Sequence, residues 1–300
     1  MKRNPLGNST LEVSEIALGC MSLPNDENEA RAIVDSALDG GINYFDTADF
    51  YGKGKNEEVV GNAIGNRRHD IILATKVGNE WHRDSDEVQW NPSKAYIKSQ
   101  VHESLRRLNT DWIDLYQLHG GMITDPSEET IDAFESLKKD GLIREYGISS
   151  IRPNVINRYL ENSAIASIMM QYSLLDRRPE ELLDRIGEAG RSVVTRGSFA
   201  KGLLTTEGLE RLKNNDGYMD YSSGELETVL TELMKIEGNL NALAIHSVLQ
   251  HKTVASVVAG ASSAQQIQET VSAYHTTVSN DQILAAKQVT KQLKYTQHRD

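Results

Sequence analysis

Four side chains that could move a proton lie at the ends of three successive strand-like segments. Asp46 and Tyr51 close the second segment, Lys76 lies near the end of the third, and His119 ends the fourth. Each alone could be structural: a turn cap, an ion-pair partner, a packing ring or a hydrogen-bonded histidine. Together they are coherent, because an ammonium lowers a tyrosine pKa, a carboxylate holds that ammonium and an imidazole orients an oxygen. The pattern predicts a proton-transfer site if the fold joins these strand ends.

The elements that must do this are short apolar runs that alternate with amphipathic stretches. The predicted strands are residues 14–19, 43–48, 70–77, 112–119, 145–149, 166–172, 192–199 and 256–261. Many are apolar at consecutive positions, which is typical of parallel strands buried on both faces. The predicted helices are residues 27–38, 93–108, 126–139, 153–160, 179–188, 225–237 and 263–273.

This alternation predicts an α/β fold, a (β/α)8 TIM barrel, whose catalytic groups collect at the carboxyl ends of the strands. The alternative is an open doubly wound sheet, but no glycine-rich fingerprint follows the first strand. Residues 2–13 predict an N-terminal β-hairpin on the barrel floor, and residues 279–293 an extra C-terminal helix. Residues 78–91 and 202–224 are expected to be long polar loops beside the site. We expect residues 1–300 to form a single barrel domain.

Composition argues against several other classes of protein. The 300 residues include 32 basic and 43 acidic side chains, a formal charge of −11, which disfavours general binding to nucleic acid or an anionic membrane. The single cysteine, Cys20, cannot form an internal disulfide. No apolar run approaches the roughly 20 residues that cross a bilayer. We therefore expect a cytoplasmic protein that is a monomer by default.

Several sequence motifs resemble those of the aldo-keto reductases. They are NYFDTADFY at residues 43–51 with EEVVG at 57–61, DLYQLH at 114–119 and YGIS at 146–149. The likeness continues in the right order over nearly the whole chain, including the hairpin and first strand at 6–19. It implies an enzyme that reduces aldehydes and ketones to alcohols, with NADPH as cofactor and a small-molecule carbonyl compound as substrate.

The resemblance also implies a role for each of the four residues. Tyr51 gives a proton to the developing alkoxide as general acid, and Lys76 lowers the pKa of Tyr51. Asp46 is the counter-ion of Lys76 and one of the cofactor contacts, and His119 orients or polarises the carbonyl. A phenol with a pKa of about 10 is a poor acid at neutral pH unless a cation stabilises its anion. The chemistry therefore agrees with the implied roles.

By the same resemblance, several strand ends contact the nicotinamide half of the cofactor. Ser149 and Gln171 match positions that bind the carboxamide, and Ser150 stands where asparagine is usual. Cys20 and Met21 are expected beside the nicotinamide ribose. A small buried hydrophobe is the alternative for Cys20.

The segment after the seventh strand is expected to cover the nicotinamide and the pyrophosphate. Arg196 stands where many relatives have an aromatic ring that stacks on the nicotinamide. A guanidinium can stack as well, and a structural ion pair is the alternative. Gly197, Ser198, Phe199 and Lys201 match the residues over the pyrophosphate.

Six residues of the eighth strand and its helix match positions that bind the adenosine end: Gly260, Ser262, Ser263, Gln266, Glu269 and Thr270. Relatives usually place an arginine or lysine here to bind the 2′-phosphate. Hydroxyls and the free amides of a helix N-terminus also bind phosphate, but more weakly. The resemblance thus implies NADPH, and the local residues leave NADH open as a second cofactor.

Two other functions are alternatives to the reductase. Some proteins with this fold, such as the potassium-channel β subunits, use bound nucleotide in a regulatory interaction module with little turnover. A metal-dependent barrel hydrolase would need a cluster of His and Asp ligands at the strand ends, which the sequence does not supply. No metal site is predicted.

Overall fold

The computed structural model describes residues 1–82, 85–213 and 215–299. The strands are β1 (Arg3–Pro5), β2 (Glu12–Ser14), β3 (Ile16–Gly19), β4 (Tyr44–Asp46), β5 (Ile72–Val77), β6 (Asn79–Trp81), β7 (Val88–Trp90), β8 (Ile113–Leu118), β9 (Ile143–Ser149), β10 (Ser167–Gln171), β11 (Ser192–Arg196), β12 (Gly217–Tyr218), β13 (Tyr221–Ser222) and β14 (Val254–Gly260). The helices are α1 (Glu27–Asp39), α2 (Lys55–Ile64), α3 (Lys94–Leu108), α4 (Ser127–Lys139), α5 (Pro153–Asn162), α6 (Glu180–Glu188), α7 (Gly208–Leu212), α8 (Ser223–Ile236), α9 (Leu240–Leu249), α10 (Ala264–His275) and α11 (Asn280–Val289).

Eight parallel strands close into a barrel in the order β3, β4, β5, β8, β9, β10, β11 and β14. The barrel closes where β14 pairs with β3, with Val257 opposite Ile16. This closure confirms the predicted (β/α)8 TIM barrel and rules out the open sheet. Because all eight strands are parallel, their carboxyl ends meet at one end of the barrel, here called the mouth.

Local sequence explains where the helices begin and which face they bury. In α1, the Asp26 side chain accepts from the backbone amides of Asn28 and Glu29, both at 3.0 Å, which satisfies two unpaired donors at the helix start. The buried residues of α1 recur at helical spacing: Ala30, Ile33, Val34 and Ala37. The period of the sequence therefore sets the side that packs on the barrel.

Three helices in the described ranges, α2, α7 and α9, were not predicted. Helix α2 lies between β4 and β5, and α9 is the helix that packs on the barrel before β14. The predicted segment 225–237 corresponds to α8, whose buried leucines instead form a cluster with Leu243 and Ala286. Helix α9 was missed because it is apolar nearly all round, so it lacks the amphipathic period on which the prediction depends.

The predicted extra helix is α11, which packs on α8 and α9 beside the barrel. The two long segments predicted as loops contain structure of their own. Residues 78–91 hold the hairpin of β6 and β7, and residues 202–224 hold α7 and the hairpin of β12 and β13. Both lie after strand ends at the mouth, as expected.

The N-terminal hairpin of β1 and β2 covers the opposite end of the barrel, here called the floor. Leu6, Leu11 and Val13 are buried against barrel-interior residues such as Tyr44. The turn needs glycine at position 7, where φ is +60° and a Cβ atom would lie 2.3 Å from the Ala166 carbonyl oxygen. The predicted hairpin is confirmed.

Candidate active site

Three neighbouring strands deliver the predicted proton-transfer residues to one cavity. Asp46 ends β4, Lys76 lies in β5 and His119 directly follows β8, and these strands pair in that order. Tyr51 lies in the turn after β4. All four side chains line a cavity of about 840 Å³ at the mouth. The structure therefore brings the four residues together.

Lys76 is a buried cation held by two oxygens. Its Nζ donates to Asp46 Oδ2 at 2.7 Å and to the Thr47 carbonyl oxygen at 2.7 Å. The same Nζ lies 5.3 Å from the centroid of the Tyr51 ring. Burial lowers the pKa of Lys76, but the charge of Asp46 and the contact with Tyr51 outweigh it, so the pKa is raised overall. Lys76 therefore stays protonated beside the tyrosine.

His119 is a neutral imidazole at physiological pH. Burial lowers its pKa to about 3, and the charges of Lys76 and Arg196 act in the same direction. Its ring stands at 84° to that of Tyr51, with centroids 5.8 Å apart. Its Nδ1 is buried and has no partner among the residues that the structure describes. A neutral ring in this position can orient a polar ligand without adding charge.

Comparisons with known proteins agree with this geometry. A profile of the aldo/keto reductase family matches residues 15–291. An oxidoreductase of uncharacterised function from Bacillus subtilis, YqkF, is 51% identical over 306 residues that cover all of both chains. The chain belongs to the aldo/keto reductase family. As a member, it is an NAD(P)H-dependent oxidoreductase.

Solved structures and a further relative support the membership of this aldo/keto reductase. The aldo-keto reductase AKR11C1 from Bacillus halodurans is 52% identical, with both chains covered in full and a TM-score of 0.96 for the holo form. Its apo form gives a TM-score of 0.87. An NADH-specific methylglyoxal reductase from Escherichia coli is 27% identical over 93% of this chain and 95% of its own.

The predicted cofactor residues divide into two groups in this aldo/keto reductase. Those in the cavity wall are Met21, Asp46, Ser149, Ser150, Arg196, Gly197 and Gly260. Those outside it are Cys20, Gln171, Ser198, Phe199, Lys201, Ser262, Ser263, Gln266, Glu269 and Thr270. Cys20 is fully buried, its Sγ lies 3.6 Å from the Leu18 carbonyl oxygen, and burial raises its thiol pKa.

Arg196 has no carboxylate partner among the described residues. It therefore forms no structural ion pair with any of them, which was the alternative to stacking on the nicotinamide. Its Nη1 donates to Gln171 Oε1 at 3.2 Å. The amide nitrogen of Gln171 in turn donates to Asp176 Oδ2 at 3.1 Å. Gln171 is thus fixed between a donor and an acceptor, with the Arg196 guanidinium at the cavity.

The start of α10 holds no cation in this reductase. The Ser263 hydroxyl caps the helix by accepting from the Gln266 amide at 3.3 Å, and the Ser262 amide donates to Gln266 Oε1 at 2.8 Å. Glu269 accepts from Gln265 at 2.8 Å. The polar groups expected at the adenosine end are therefore neutral donors, apart from one carboxylate.

The sequence analysis gave no role to two supporting groups on α2, although Glu57 lies in the EEVVG motif. Asn56 accepts from the Thr47 hydroxyl at 2.6 Å and donates to the Cys20 carbonyl at 2.7 Å, which ties the ends of β3 and β4 together. Glu57 is fully buried and bonds both Arg107 Nε at 2.7 Å and the Thr75 hydroxyl at 2.6 Å. Their position directly after the Tyr51 turn was the available signal.

Asp49 is another residue to which the sequence analysis gave no role. It is fully buried, and neither carboxylate oxygen has a partner among the described residues. Burial raises its pKa well above the usual value, and the charge of Glu57 adds to this effect. Burial thus disfavours the ionised form of Asp49, which lies two residues before Tyr51 in the same turn.

Two features are absent from the described ranges: a membrane-spanning helix and a cluster of metal-binding side chains. No helix there is long and apolar enough to cross a bilayer. Nor do three or more His, Cys, Asp or Glu side chains of these ranges gather in a way that could bind a metal ion.

Proposed function

We propose that this chain reduces aldehydes and ketones to alcohols with NADPH, and that Tyr51 is the general acid. The observation that carries the proposal is the buried Lys76–Asp46 pair, 2.7 Å between Nζ and Oδ2, directly beside the Tyr51 ring. A fixed ammonium next to a phenol stabilises the phenolate that remains after proton donation. The cofactor assignment follows from the family and from the residues in the cavity wall.

The cavity is of a size that admits a nicotinamide ring together with a small substrate. Serine hydroxyls of Ser149 and Ser150 and the guanidinium of Arg196 offer polar contacts to the ring and its carboxamide. These groups fit a nicotinamide cofactor, which when bound supplies the hydride. The stacking role of Arg196 is part of the proposal, since no carboxylate of the described residues competes for it.

The protein's own side chains handle the oxygen of the carbonyl group. Tyr51 donates its phenolic proton to the oxygen as negative charge develops there. His119, which is neutral and lines the cavity, orients that oxygen by donating a hydrogen bond from a ring N–H. Asp46 keeps Lys76 in place, so the positive charge is already positioned and needs no rearrangement during the reaction.

The preference for NADPH over NADH is the finer part of the proposal. It is supported by the family and by the hydroxyls at the start of α10, which can hydrogen-bond a 2′-phosphate. The lack of an arginine or lysine between residues 262 and 270 makes that contact weaker. One relative is NADH-specific by name, so use of NADH by this chain stays open. Cytoplasmic location, a monomeric state and a single domain over residues 1–300 stay predictions from the sequence.

The test is a titration of the purified protein with NADPH and with NADH, followed by 4-nitrobenzaldehyde in the same cuvette while absorbance of the reduced nicotinamide is recorded. We expect NADPH to bind and to be oxidised only after the aldehyde is added. Tight binding without oxidation, across several carbonyl compounds, would instead support the regulatory module. Failure to bind either nucleotide would contradict both.

A further inference from the structure

The wall of the active-site cavity carries an excess of unpaired positive charge. Three of its cations have no carboxylate at ion-pair distance in the part of the chain that the structure describes: Arg152, Arg196 and Lys294. Asp220 is the single acid of the wall without a basic partner for its carboxylate there. In a chain with a net charge of −11, this local excess favours an anion.

The other charges of the wall cancel one another. Lys76 pairs with Asp46. Arg178 donates from Nε and Nη2 to the two oxygens of Asp176, both at 2.7 Å, so its charge is matched below the surface of the cavity. The excess therefore comes from the three unpaired cations alone.

Arg152 lies on the side of the cavity where the carbonyl group would react. It follows β9 and is the residue before α5, and its Nη1 donates to the Gly121 carbonyl oxygen. Gly121 is two residues beyond His119 in the loop after β8, the neighbouring strand. The guanidinium is thus anchored to the same loop that carries the histidine.

The same position separates Arg152 from the expected phosphates of the cofactor. Two strands, β10 and β11, lie between β9 and β14 in the barrel, and α10 begins after β14. The phosphates are proposed to lie along β11 and α10, so they do not need Arg152. Arg196, on β11, belongs to that other side.

Within the described ranges, the guanidinium of Arg152 keeps most of its hydrogen-bonding capacity free. A guanidinium has five N–H donors in a planar fork that matches a carboxylate. The bond to Gly121 uses one of them. Because the side chain is half-buried in the cavity wall, a carboxylate bound there would be partly shielded from water and salt.

We propose that the carbonyl substrates of this enzyme carry a carboxylate, and that Arg152 binds it. The inference rests on the proposed reductase function and adds the substrate class. Lys294, on the C-terminal segment of the wall, provides a second positive charge that attracts the same group. Arg152 is a specificity-determining residue in this proposal; the reacting atoms are handled by Tyr51 and His119.

The first experiment compares two aldehydes of similar size, of which one carries a carboxylate and the other is uncharged: 4-oxobutanoate and its methyl ester. We expect kcat/KM for the acid to exceed that for the ester by about 10- to 100-fold, mainly through KM, as for a charge-assisted hydrogen bond. Arg152→Gln should remove this preference, because it lowers kcat/KM for the acid far more than for the ester. Arg152→Lys should restore part of it, because the charge returns without the fork.

Arg158→Gln is the matched control. Arg158 lies on α5, is half-buried like Arg152 and donates to the Ile123 carbonyl of the same loop, but it does not line the cavity. It should keep the full preference for the acid. A binding readout avoids turnover altogether: succinate should raise the Tm of the natural chain and of Arg158→Gln, but not of Arg152→Gln.

Equal kcat/KM for acid and ester in the natural chain would overturn the proposal. A preference for the acid that survives in Arg152→Gln would also overturn it. So would a loss of NADPH affinity in that variant, since Arg152 would then bind the cofactor. If the proposed reductase function itself is wrong, neither aldehyde is reduced, which distinguishes that failure from the outcomes above.

Discussion

At the floor of the barrel, the interior under the N-terminal hairpin is filled by apolar side chains such as Leu6, Val13 and Tyr44. At the mouth, the same barrel holds a buried lysine paired with Asp46, and a carboxyl group, Asp49, whose oxygens have no partner in the described part of the chain. Burying apolar surface stabilises a fold, whereas burying polar groups costs free energy unless they are paired. The apolar side chains of the floor therefore stabilise the fold. The buried polar groups of the mouth lower that stability and are held in the states that the reaction needs.

Leu6→Ala should destabilise the floor of the barrel and leave the catalytic residues at the mouth in place. Because Leu6 is fully buried between the hairpin and the barrel, truncation leaves a cavity, and we expect a loss of about 2–5 kcal/mol in the free energy of unfolding. Urea unfolding measures it. Leu284→Ala, at a position 55% exposed, is the control and should change stability by no more than about 0.5 kcal/mol. A Leu6→Ala variant of normal stability but reduced kcat/KM would contradict the division of roles.

Tyr51→Phe should have the opposite effect, a loss of activity without a loss of stability. It removes the acid and little else, so we expect turnover to fall by about 10²-fold or more, while nucleotide affinity and unfolding free energy stay nearly unchanged. Steady-state kinetics, fluorescence titration and urea unfolding measure the three quantities.

Tyr44→Phe is the matched change at the floor, where the buried hydroxyl has no partner among the described residues. Because nothing is left unpaired when that hydroxyl is removed, turnover and stability should both persist. Full activity of Tyr51→Phe would overturn its assignment as the acid.

Asp49→Asn should show how much the buried carboxyl group at the mouth lowers the free energy of unfolding. The raised pKa of Asp49 means that the folded chain keeps the proton while the unfolded chain releases it above about pH 4, so Asp49 lowers stability as pH rises toward its folded pKa. The variant should therefore gain stability relative to the natural chain between pH 5 and 8, by up to about 1.4 kcal/mol per pH unit. Urea unfolding at the two pH values tests this, and a pH-independent difference would show that the carboxyl group is ionised.

The sequence was a good guide where periodicity and position decide the outcome. All eight barrel strands and most of their helices follow from apolar runs and caps, as in α1, and the barrel rule then places Asp46, Lys76 and His119 at one end. It failed for α9, whose apolar surface has no polar face to give a period, and for the hairpin of β6 and β7, which forms through pairing within a polar segment.

Within the site, type and spacing predicted which residues meet but not their electrostatic state. The neutrality of His119 depends on its burial and on the nearby charges of Lys76 and Arg196, which come from different strands. The lack of a carboxylate beside Arg152 in the described part of the chain depends on where the acidic side chains of other segments lie. Both are properties of distances between segments far apart in sequence, so no local pattern encodes them.

The smallest expected effect concerns the rim of the mouth, at the start of α10. Ser262→Arg places a cation where the family usually has one, and we expect NADPH to bind about 5- to 10-fold more tightly relative to NADH, on the order of 1 kcal/mol. Gln268→Arg adds the same charge farther along the exposed face of α10 and should leave the ratio of the two dissociation constants unchanged. Because the contact is exposed, the gain should also shrink as salt is raised. An unchanged ratio for Ser262→Arg would mean that the 2′-phosphate binds away from α10, and the unpaired cations of the cavity wall would then be the place to look for it.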